Sequence, residues 1–328
     1  MLIQGYQGQC EIFREAVRPI LESPRQAISV LDESEIADSS LLFRVDNPEK
    51  CGPELRMLLA RKAYNYASVE KLAGESPTLP PSLNLNICDP QILEAMGRGV
   101  RGWLGVNEAP LGDVLSLLES KGLKILQHPF PSELSGFSAY SEEVGGVIFV
   151  NAKHPTKRKN SAVLHELGHL IFHRSEYGKV LVEKDREKEM AINHFVGAVL
   201  MPSNVLEKEL HLYRQRWIPE PLLHDLKLRY QISAKMVLIR ATQVGLIQIA
   251  QKEQQCAVLE KNYEIRKKGE ASSPPRTFYR LERLVYNAVL MGDISISKAA
   301  KILGKPLVEI HAALRNCLET SYCGSTRW

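Results

Sequence analysis

Two histidines separated by three residues, with a glutamate beside the first, stand at His165-Glu166-Leu167-Gly168-His169. On a helix this spacing puts both imidazoles on one face, a turn apart, where they can converge on one ion with Glu166 beside it. A hydrolytic zinc site also needs a third protein ligand and an open position for water. Glu189 can supply that ligand. It lies 20 residues after His169 on a second helical stretch, and Asn193, one turn further, can hydrogen-bond a ligating imidazole and hold its tautomer. The expected chemistry is hydrolysis by a metal-activated water, with Glu166 taking and returning the proton. Glu187 is a second acidic candidate. His173 falls a turn too far along to ligate and reads as a partner of the ligands or a structural residue. A second oxyanion donor is expected among His194, His224, Tyr213 and Tyr230, and spacing does not choose between them.

These residues need helices to carry them. From Ser161 the apolar positions Val163, Leu164, Leu167, Leu170 and Ile171 follow a helical period, with Asn160 or Ser161 as the cap. A helix from about Lys184 to Leu200 carries Glu189 and ends at Pro202. Before them the spacing predicts three short strands, Leu123 to Gln127, Gly136 to Tyr140 and Gly146 to Val150; by likeness to zincin-like folds, the last is expected to be an edge strand on which an extended substrate could pair. Further helices are predicted over Ile12 to Leu21, Pro53 to Ala73, Pro90 to Leu104 and Leu111 to Lys121. The proline-rich stretch Ser76 to Ser82 and the polar stretch Lys267 to Arg276 read as linkers. The expected organisation is a helical region over 1–82, a mixed core over 83–205, a helical extension over 206–266 and a last unit over 277–328.

The 328 residues are 44% hydrophobic and 24% charged, which excludes a disordered chain. The six cysteines form no CxxC pair, against a thiolate zinc site or a disulfide framework. No secretory signal or membrane span is apparent, so a soluble cytoplasmic protein is expected. The net charge of +4 is unevenly spread: residues 255–328 hold 12 basic against 7 acidic side chains, which permits contact with an acidic partner such as nucleic acid.

Residues 160 to 202, NSAVLHELGHLIFH followed by EMAINHFVGAVLMP, resemble the ImmA/IrrE family of zinc metallopeptidases. In that family a helix patterned E-x-x-A-N-x-F-A-x-x-L-L-M-P follows the histidine helix, and Glu189, Asn193, Phe195, Leu200, Met201 and Pro202 match it. Ile192 and Val196 stand where the family often has alanine. The pattern favours Glu189 over Glu187, and about residues 88 to 248 are covered. A metzincin would need a glycine and a histidine where Phe172 and Ser175 stand. The resemblance implies an α+β, mainly helical fold with a zincin-like core, Zn2+ held by His165, His169 and Glu189, and Glu166 as the catalytic base. It also implies a helix-turn-helix transcriptional repressor as substrate. Family members often carry an N-terminal DNA-binding domain; residues 1–82 show no such pattern, so the repressor is expected to be a separate chain.

In the last unit, Ala300, Gly304 and Ile310 fall where a helix-turn-helix needs a small residue, a turn glycine and an apolar residue, with Leu303 and Leu307 suited to its core. His311 and Arg315 are its only obvious contacts, so contact with DNA through 277–328 and plain helix packing both stand. A second hypothesis is a regulatory, antitoxin-like binding module in which zinc is structural or vestigial. The segment Leu226 to Ile247 has a similar pattern, but Ile232, Met236, Ile239 and Val244 look like core positions.

Overall fold

The computed structural model describes residues 41–44, 51–76, 78, 80–83, 89–178, 185–266 and 279–322. The helix expected over Ile12 to Leu21 and the stretch Lys267 to Arg276 lie outside them. In chain order the elements are β1 (Leu42–Arg44), α1 (Pro53–Leu72), α2 (Pro90–Leu104), α3 (Val114–Ser120), β2 (Lys124–His128), β3 (Gly136–Ser141), β4 (Gly145–Asn151) and α4 (Thr156–Phe172). Next come α5 (Arg186–Leu200), α6 (Ser203–Leu210), α7 (Glu220–Arg229), α8 (Ala234–Gln243), α9 (Ile249–Arg266), α10 (Tyr279–Leu290), α11 (Ile296–Leu303) and α12 (Leu307–Tyr322). The described chain is therefore mainly helical with one small sheet, an α+β protein as expected. No helix among the described residues is long and apolar enough to cross a membrane.

The sheet runs β1-β3-β4-β2, with β3 antiparallel to both its neighbours and β2 parallel to β4. This corrects one expectation. The strand over Gly146 to Val150 is interior, because β3 folds back on it through the Ser141–Gly145 hairpin and β2 lies along its other side. Gly145 makes that hairpin possible at φ 75°, a conformation that a side chain disfavours.

Alternation along the strands splits the core in two. Ile125, Ile148 and Val150 point to one face, where Val163, Leu164, Leu167 and Leu170 of α4 and Phe195 and Val199 of α5 cover them. Phe137, Phe149, Val147 and Leu126 point to the other. There Leu59, Ala63 and Tyr66 of α1 share one core with Leu284, Val285, Ala299 and Ile310 of α10 to α12. Charged groups tie this second face: buried Lys124 pairs with Glu70, Arg280 reaches Glu70 at 2.5 Å, and Tyr66 donates to Glu119 at 2.9 Å. Burial pushes the Glu119 carboxyl up to about 7, against the pull of the Tyr66 hydrogen bond.

At the C-terminal end, Ser295 caps α11 and Gly304 turns the chain at φ 63° into α12. Ile310 is fully buried in the second core and Ala300 packs against that core, whereas Leu307, expected in the core, is exposed.

The helices that matter most for the site approach closely at glycines. A Cβ at Gly97 of α2 would lie 2.6 Å from the Cβ and 2.9 Å from the carbonyl carbon of Ala198 in α5. Because backbone is in the way, Gly97→Ala is expected to destabilise the protein by about 1–3 kcal/mol, read by urea unfolding.

Candidate metal centre

Helix α4 begins at Thr156 after Pro155, so Asn160 and Ser161 lie inside it rather than capping it. Its buried stripe against the sheet leaves His165 and His169 on the face toward α5, with their Nε2 atoms 3.0 Å apart. Helix α5 is fixed at its start by Asp185, whose Oδ1 accepts from the backbone N–H groups of Glu187 and Lys188. Glu189 stands in the first turn. Its Oε2 lies 3.3 Å from His165 Nε2 and its Oε1 3.5 Å from His169 Nε2. One atom from each of the three residues thus falls within 4.8 Å of the others, an arrangement able to hold a metal ion. His169 is buried while His165 and Glu189 are partly open, so the cluster faces solvent on one side. Glu187 is exposed and stands outside the cluster.

His173 is buried, and its Nδ1 lies 2.9 Å from His169 Nδ1. Burial lowers its pKa, which favours the neutral ring. For His169 Nε2 to present a lone pair to a metal, its Nδ1 carries the proton and donates to His173. This is the part expected of Asn193, which is exposed and, among the described residues, makes no hydrogen bond to either imidazole.

Glu166 is buried beside the cluster. Ser138 of β3 donates to its Oε2 at 2.6 Å, and the Tyr177 hydroxyl, 2.6 Å from Ser138 Oγ, can donate to Ser138 in turn. Complete burial drives the Tyr177 pKa upward, so the phenol keeps its proton. One carboxylate oxygen of Glu166 is thereby held by a hydroxyl chain. Sequence reasoning missed Ser138 and Tyr177. The only signal was a serine at an inward position between Phe137 and Ala139, and that position depends on the strand register.

The residues weighed as oxyanion donors are placed elsewhere. His194 is 2.8 Å from Glu94, which also binds Arg240. His224 is exposed on α7, while Tyr230 and Tyr213 pack into the first core. A cation that the sequence did not suggest does reach the cluster: Arg44 of β1 lies with Nη2 3.4 Å from Glu189 Oε1 and Nε 3.9 Å from Glu176 Oε2.

Residues 118–242 match the Peptidase_M78 family model, described as the IrrE N-terminal-like domain. The match runs from α3 to α8 and includes the cluster, Glu166, Ser138, His173 and Tyr177, while β1 lies outside it. No curated protein matches the chain. Peptidase_M78 is a metallopeptidase family, and a His/His/Glu set able to hold a metal lies within the matched residues. Over residues 118–242, the chain is similar to the IrrE N-terminal-like domain of the Peptidase_M78 family, consistent with the ImmA/IrrE resemblance of its sequence.

Proposed function

We propose that the protein is a zinc-dependent endopeptidase with a zincin-like core, and that it cleaves a helix-turn-helix transcriptional repressor to switch on stress-response or mobile-element genes. The observation that carries the reading is the convergence of His165, His169 and Glu189 with Glu166 alongside. Two imidazole nitrogens and one carboxylate suit zinc, whereas calcium and magnesium prefer an all-oxygen set. When bound, zinc supplies Lewis acidity, activating water and polarising the scissile carbonyl. Glu166 does the proton work. The oxygen not held by Ser138 accepts the proton of the attacking water, and the carboxyl then delivers it to the leaving amine.

The test is incubation of the zinc-loaded protein with the repressor encoded beside its gene. A repressor left intact at stoichiometric enzyme would sink the reading. The ligand assignment is tested separately: Glu189→Ala is expected to weaken zinc binding by at least about 100-fold, the upper end of what losing even an outer partner costs, with the helical circular dichroism retained. Retained zinc stoichiometry after dialysis against a weak chelator would exclude Glu189 as a ligand.

A second reading concerns the last unit. Helices α11 and α12 meet at the Gly304 turn with His311 and Arg315 exposed. This supports contact with DNA through 277–328, either alongside proteolysis or, in a regulatory module of antitoxin type with structural or vestigial zinc, in place of it. Binding to duplex DNA that does not weaken as salt rises would argue against it.

A further inference from the structure

Strand β3 runs along the candidate site. Ser138 on it donates to Glu166, and Ser138 to Tyr140 pair with Leu42–Arg44. A peptide cut beside Glu166 has to pass the same strand, and a strand edge offers an extended peptide backbone hydrogen bonds that are indifferent to side chains. Here the chain itself takes that edge. β1 is only three residues long, against about five or six for a usual strand. The Phe43 carbonyl accepts from the Gly178 N–H at 3.1 Å, so β1 lies in a slot between β3 and the turn after α4. Phe43 anchors it on the far face of the sheet, with ring centroids 6.0 Å from Phe149 and 6.1 Å from Phe137. Arg44 points the other way, to Glu189 and Glu176, where a side chain of a bound peptide would stand.

We propose that the edge of β3 from Ser138 to Tyr140 is the docking edge for an extended peptide, and that Leu42–Arg44 fills it in cis and leaves before a peptide binds. Cleavage of a docked peptide rests on the peptidase reading; the docking itself does not. Displacement exchanges one set of backbone hydrogen bonds for another, so the burial of Phe43 governs how often the edge is free. A fractionally free edge weakens apparent affinity by that fraction.

The test locks the strand. The backbone polar groups of Phe43 face Gly178, so Phe43 and Ala139 form a non-hydrogen-bonded pair with a Cα separation of about 4.5 Å, which a disulfide can span. Phe43→Cys with Ala139→Cys is built into the full chain carrying Glu166→Gln, so that a bound peptide is not cut. The probe is fluorescein-labelled, reduced and carboxymethylated casein, followed by anisotropy. The oxidised form is expected to bind at least about tenfold more weakly than the reduced form, and dithiothreitol to restore binding. Phe43→Asp, which removes the anchor and adds no bond, is expected to bind about tenfold more tightly than the Glu166→Gln parent. Equal binding by oxidised and reduced forms, or no binding by any form, overturns the proposal. The zinc-loaded protein with Glu166 intact is given the repressor in parallel: redox-dependent casein binding with the repressor left uncut defeats the peptidase reading and leaves the docking edge standing.

Discussion

On the proposed reading, Glu166→Gln is expected to lower the rate of repressor cleavage by about 10²–10⁴, the range for loss of a positioned general base, and to leave the bound metal unchanged. The separation of these two outcomes comes from the geometry. Glu166 lies outside the His165, His169 and Glu189 cluster, so an amide there removes no ligand. Glutamine has nearly the same shape and can still accept the Ser138 hydrogen bond through its carbonyl oxygen, but it cannot take a proton from water. Side-by-side metal analysis and single-turnover cleavage measure both quantities. Cleavage at the parent rate would show that Glu166 is not the base, and loss of zinc would show that it belongs to the metal site.

The largest stability effect is expected from Glu94→Ala. Arg240 is fully buried on α8, donating to the Met201 carbonyl at 2.8 Å and to Glu94, which is 12% exposed. Removing the carboxylate leaves a guanidinium charge without its counter-ion in the interior, at a cost of about 3–5 kcal/mol. The Glu209 to Arg229 pair supplies the comparison. Its N–O distance is 2.6 Å, but the residues are 24% and 40% exposed, and Glu209→Ala is expected to cost no more than about 1 kcal/mol. Urea unfolding of both variants decides whether burial or geometry sets the scale; equal losses would refute the argument.

Glu94 also carries a pH signature. Burial raises its pKa, but the hydrogen bond from His194 and the charge of Arg240 outweigh this and hold it at about 2, below its ordinary 4.5. A depressed carboxyl pKa stabilises the fold fully above the unfolded value. This contribution is expected to fade as pH falls from about 4.5 toward 2, and to be missing from the acid unfolding profile of Glu94→Ala.

The convergence of His165, His169 and Glu189 was legible because its information is local: His165 and His169 declare a helical face, and Glu189 declares the next helix at a compatible spacing. Strands β2 to β4 were legible as elements for the same reason. The place of β4 was not. All seven of its residues are buried, and a strand covered on both faces reads alike at an edge or in the middle. β1 escaped notice because three residues carry no period, and with it went Arg44. Ser138 and Tyr177 meet Glu166 only through sheet register and the turn after α4, neither of which the spacing encodes. Asn193 and His173 were both visible as possible supports for an imidazole. Deciding between them required the direction of each side chain, which depends on how α4 and α5 pack.

The second core has a kinetic consequence. Its members include Leu59 and Leu314, and the Arg280 to Glu70 hydrogen bond spans 210 residues, so this face is built from contacts far apart in the chain. At about 5–20 residues per second, synthesis passes Glu189 some 6 to 25 s before it reaches Leu314. For that interval every residue of the metal cluster exists while Phe130, Phe137 and Phe149 lack part of their cover. Nascent chains at this stage are the form most exposed to chaperones and to aggregation. A truncation that ends before α10 reproduces this interval permanently, trading a smaller protein for an open aromatic face.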